Sequence, residues 1–237
     1  MRNDRLAKNV IWRVFINFQF MLMRYLKVIL YIFLFMIAWS GIFLAIALLS
    51  GLNADIILIM AISGGVILSV SFIPFLNWAI KHCFYYKSDD KPVSYEDLYQ
   101  ELLNINKIDA PIMTQEKGNK MIITWKYIDA KWWEILKKNS LKAIYELQIK
   151  FNKNKHYVVL IDISKKVEWG VGPQGVKLSA NYNRGVFASA EIGKQFGIKE
   201  NFTLGKIYDY KFKSSEIKTP VVNMILKKGW DVYFGIW

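Results

Sequence analysis

The stretch with the most suggestive chemistry is Gly170-Val171-Gly172-Pro173-Gln174-Gly175, with Lys177 just behind it. Its letters fit G-x-G-x-x-G, the turn that cradles the pyrophosphate of a dinucleotide, and it follows a strand-like run. That chemistry needs a helix opening directly after the last glycine, because the helix N-terminus holds the phosphates. Here Val176-Lys177-Leu178-Ser179-Ala180 alternates like a strand and Pro173 suits a loop, so the expectation is a glycine-rich turn between strands. The sharper reading set beside it is a loop for a small anionic ligand, in which exposed amides around Gly170, Gly172 and Gly175, together with Lys177, contact a phosphate.

Other chemistries are poorly supplied. The two histidines, His82 and His156, stand far apart, and Cys83 is the single cysteine. No zinc-ligand spacing, intrachain disulfide or Ser-His-Asp or Cys-His set can be assembled from them. The acids Asp129, Asp162, Glu168 and Glu191 are scattered, and nothing nominates a catalytic pair. The sequence therefore points to no metal, no cofactor and no catalytic residue, and a non-enzymatic protein is expected; a membrane-tethered enzyme with an unrecognised site is a rival. Nucleic acid is disfavoured as a partner, because the excess charge is carried by lysines interleaved with strand residues and Arg184 is the only arginine after residue 87. The Trp132-Trp133 pair is read as core in preference to a docking patch.

The elements that must position these residues are dominated by two uncharged apolar runs, 28–50 and 56–80, separated by Gly51-Leu52-Asn53-Ala54-Asp55. Each exceeds the roughly 20 residues that a helix needs to cross a hydrocarbon core of about 30 Å. The reading is a two-helix transmembrane hairpin, its backbone satisfied internally as lipid requires. No ionisable residue lies inside either run, which argues against a proton relay or an ion-coupled transporter. The formal net charge of +13 divides into +6 over residues 1–87 and +7 over the rest, so the excess is densest beside the hairpin. Basic residues flank both outer ends and none lies in the connection, which predicts both termini cytoplasmic and an inner-membrane, multi-pass location.

Residues 1–27 form a basic amphipathic interfacial segment in this reading. Arg5, Arg13, Arg24 and Trp12 would meet anionic lipid headgroups, with Trp78 at the same level on the second helix. Small residues recur every three or four positions, Ala38, Gly41 and Ala45 on the first helix and Ala61, Gly65 and Ser69 on the second. These stripes are expected to pack on each other, or on a second copy or another membrane protein.

Residues 81–93 read as a linker and 94–237 as a cytosolic domain. Ser94 is placed as a helix cap, and a helix is predicted over 129–138. Strands are expected around 120–127, 141–151, 157–163 and 176–182, with Asn183-Arg184-Gly185 turning into 186–190. A last strand at 207–212 precedes a helix with Thr219 at its cap, Pro220 at its first position and Gly229 as its stop. Short connections without crossover helices make the sheet mostly antiparallel, so the fold class is α+β: a transmembrane helical hairpin followed by a domain with a mostly antiparallel sheet and a few helices. The function expected is display of a ligand- or partner-binding domain in a membrane assembly. The alternative is a membrane-disrupting effector that oligomerises when its domain binds a nucleotide-like signal.

Overall fold

A computed structural model describes residues 2–50, 53–138, 141–186 and 214–237, with side chains described for these except 2–21, 49, 50, 54 and 130. Its internal contacts divide the chain into two compact units, Met1–Phe84 and Tyr85–Trp237.

The first unit is a pair of helices, α1 (Arg2–Ser50) and α2 (Ala54–Cys83). Within them Leu22–Leu48 and Asp55–Cys83 are long and apolar enough to cross a membrane. Asn53 starts α2, its side-chain oxygen accepting from Ile56 N at 3.1 Å, and Asp55 in the first turn complements the positive end of the helix dipole. The expected interfacial segment is not a separate helix: α1 runs unbroken through residues 2–50. No glycine or proline occurs before Gly41, so nothing in the chain stops the helix from propagating. The side chains of Arg5, Trp12 and Arg13 lie outside the described residues.

Aromatic rings hold the two helices together. Phe35 stacks on Phe75 with ring centroids 4.2 Å apart, and Tyr31 tilts against Trp78 at 5.6 Å. The close approach is at Gly64, where a Cβ would come within 1.9 Å of the Phe43 ring. The small-residue stripes are on other faces. Ala38, Gly41, Ala45, Ala61, Gly65 and Ser69 are all exposed, and a Cβ on Gly41 or Gly65 would meet nothing within 4 Å. They do not pack on each other within the pair. One position of shift, from 65 to 64, turns a side chain by about 100° around the helix, so spacing alone cannot say which glycine faces the neighbour.

The second unit is built on one sheet of β1 (Tyr85–Tyr86), β2 (Ile112–Lys117), β3 (Lys120–Trp125), β4 (Ala143–Asn152), β5 (Tyr157–Trp169), β6 (Val176–Gly185) and β7 (Asp231–Phe234). Among the described residues the order is β1-β7-β5-β4-β3-β2, with β6 continuing beside β7 along the same edge of β5. Among the described residues three α-helices complete the unit, α3 (Tyr95–Leu103), α4 (Ala130–Lys138) and α5 (Ser214–Lys227). The sheet is mostly antiparallel, and β5 is central, as its two-sided apolar pattern requires. α3 and α5 cover one face. Thr114 Oγ1 donates to Leu102 O, Phe151 meets the rings of Tyr95 and Tyr99, and Lys218 reaches Asp162. That face carries the buried Met121, Ile123, Leu147, Ile149, Val158 and Leu160. The outer edge of β2 is blocked by Asn106, whose side chain accepts from Thr114 N and donates to Thr114 O, a safeguard against edge-to-edge association.

Several expectations are corrected. β7 is parallel to β5 and is reached through α5, so one crossover helix does exist. Asn183-Arg184-Gly185 is not a turn but the end of β6, paired with Asp162 to Ser164. α5 begins at Ser214, with Thr219 and Pro220 inside it. Proline forfeits one backbone bond there, and the helix persists because Ile217, Lys218 and Val221 around it are fully buried. The segment read as a linker is partly structured, since α2 ends at Cys83 and β1 starts at Tyr85. The strands expected at 186–190 and 207–212 lie, but for Val186, outside the described residues. Ser94 does cap α3, its hydroxyl accepting from Asp97 N at 3.0 Å, and Gly229 closes α5 with φ +79.

Candidate functional site

The glycine-rich loop folds back on itself. Gly170 N donates to Gly175 O, Gly175 N donates to Gly172 O, and the Lys137 ammonium donates to Gly170 O. A Cβ on Gly170 would lie 2.4 Å from Gly175 O, which explains two of the three glycines by close backbone approach. Gly172 supplies the third need with φ +71. The strand β6 opens behind the loop at Val176, so the dinucleotide geometry is missing. The amides of Gly170 and Gly175 are engaged internally, while Lys177 is exposed on β6 and Val171 at the tip of the loop.

The structure brings together other residues that sequence reasoning passed over. Asp162, the one charge in the apolar run of β5, accepts from the Tyr145 hydroxyl at 2.6 Å and from Lys218 Nζ at 2.7 Å. Both partners of the ion pair are fully buried, and the ammonium also sits 4.3 Å from the centroid of the Phe234 ring. Burial lowers the Lys218 ammonium below its ordinary range, against the pull of Asp162, and lifts the Tyr145 phenol well above its own. Tyr145, Asp162 and Lys218 come from β4, β5 and α5, so the set locks the last helix onto the sheet. Asp162 and Lys218 are fully buried and Tyr145 nearly so, and the set ties three elements together as a bolt does. The available signal was Asp162 alone: an acid in a central strand needs a buried cation.

On the opposite face, Val159, Ile161 and Ile163 form a buried cluster with Tyr157 and Tyr233 packed against it. Glu146 on that face is ion-paired with Lys165 at 2.7 Å, and the buried Gln148 Nε2 finds no hydrogen-bond partner.

The third constellation fastens the segment after α2. Asp231 accepts from the Tyr85 hydroxyl at 2.7 Å and from Ser88 N at 2.8 Å, while Ser88 Oγ donates to Leu226 O at 2.6 Å. Val93 N donates to Lys228 O, and Trp230 Nε1 donates to Val93 O. Gly229 lies against this strap: a Cβ there would come within 2.1 Å of Lys91 O. Residues 85–93 are thus clasped by the α5–β7 turn. Among the described residues no group of three His, Cys, Asp or Glu side chains is placed to hold a metal ion.

Comparison with known proteins gives no lead. No protein-family model, no curated protein and no solved structure matches the chain. His82 stacks on Trp78 at 5.4 Å, His156 meets Trp230 edge-on at 5.3 Å, and Trp132 is buried in the domain with Trp133 half-buried beside it.

Proposed function

We propose that the chain is an integral protein of the inner membrane, both termini cytoplasmic, whose α1–α2 pair spans the bilayer and displays the α+β domain as a component of a membrane assembly. The observation that carries this reading is the surface of the helices: Ile29, Phe33, Leu44, Leu58, Ile59, Ile62, Val66 and Val70 are each more than half exposed. In water that much apolar surface costs about 25 cal/mol for each Å², whereas hydrocarbon removes the cost. Flotation of the expressed chain on a density gradient tests it; recovery in the soluble fraction without detergent overturns it. Topology is best read from Lys87→Cys in a Cys83→Ala background, because Lys87 is exposed whereas Cys83 is buried. The cytoplasmic arrangement requires that an impermeant maleimide reach this cysteine only after the cells are opened.

The outward stripes favour assembly through the helices. Since Ala38-Gly41-Ala45 and Ala61-Gly65-Ser69 do not meet inside the pair, they are available to a second copy or to another membrane protein. Gly65→Leu then lowers the oligomer size in detergent while leaving the pair intact, and Gly64→Leu disrupts the pair itself against Phe43. The same stripes are compatible with the effector reading, in which a small anionic ligand on the domain drives clustering and membrane breach. Depolarisation of expressing cells that Gly65→Leu abolishes would favour the effector over the scaffold.

A further inference from the structure

We draw no further inference here: the strongest candidate, the sheet face of Val159, Ile161 and Ile163 on which the buried Gln148 leaves its amide nitrogen without a partner beside the Glu146–Lys165 ion pair, carries none because nothing in the structure shows what covers it.

Discussion

The two units treat apolar side chains in opposite ways. In the helix pair the large aliphatic residues are outside and the ring contacts inside, with Ile62 and Val70 more than half exposed. In the sheet unit Trp125, Trp132, Trp230, Leu98 and Ile123 are fully buried, lysines such as Lys117 and Lys177 are exposed, and the one buried ammonium described above, Lys218, is paired with Asp162. The difference teaches that burial is measured against a solvent. In the membrane reading proposed above, with water around one unit and hydrocarbon around the other, the two cores have opposite sense, and each polar group inside either must bring its own partner.

The strongest way to break this contrast is at the buried bolt. Asp162→Ala leaves the Lys218 ammonium in the core without its partner, and the domain should lose about 3–5 kcal/mol, read from its denaturant midpoint in detergent. The pair replacement Asp162→Leu with Lys218→Met should recover most of that loss; failure to recover would mean that the pair also fixes the α5 register. Next comes a direct comparison of two exposed positions. Ile62→Lys, in α2, faces a cost of about 2.5–3.5 kcal/mol at the centre of a lipid-embedded helix, and the floated fraction should fall. Tyr182→Lys, similarly exposed on β6, should change stability by no more than about 0.5 kcal/mol. Equal silence at both sites would remove the contrast.

Glycines give a third comparison. Gly229→Ala forces a side chain into a left-handed backbone and against Lys91 O, with an expected loss of about 2 kcal/mol in thermal unfolding, whereas Gly41→Ala should be neutral or stabilising because its surroundings are open. The smallest effect is alkaline. Burial, reinforced by Glu116, pushes the Tyr99 phenol up to about 12. The folded state therefore binds the proton more tightly than the unfolded chain, and the stability this contributes is whole below pH 10 and lost as pH rises from about 10 to 12. Tyr99→Phe should flatten that part of the midpoint-against-pH curve. Lys218, shifted downward, contributes with the opposite slope and is unchanged in the comparison.

Much of the architecture was legible because it depends on local pattern. The two long helices, the Ser94 cap, the Gly229 stop and the alternation of β4 follow from nearest neighbours along the chain. What escaped depends on partners distant in sequence. Four residues, Asp231 to Phe234, carry too little periodicity to announce a strand, and only the flanking β1 and β5 make them one. Pro220 reads as a helix start until Ile217 and Lys218 are seen to be buried ahead of it. Within the pair the close approach is at Gly64, while Gly65, one position on, faces away from the neighbouring helix. At the glycine loop the letters matched a cofactor motif, and the strand behind it decided otherwise.

The place of β7 bears on biosynthesis. A strand formed by residues 231–234 fills the gap between β1, made just after the second helix, and β5. In the membrane reading proposed above, helix insertion can proceed while the ribosome is still translating, but the sheet keeps two bare edges until residues 231–234 have left the exit tunnel. A premature stop upstream of Asp231 should therefore yield a chain that inserts normally and exposes β1 and β5 to aggregation and to quality-control proteolysis.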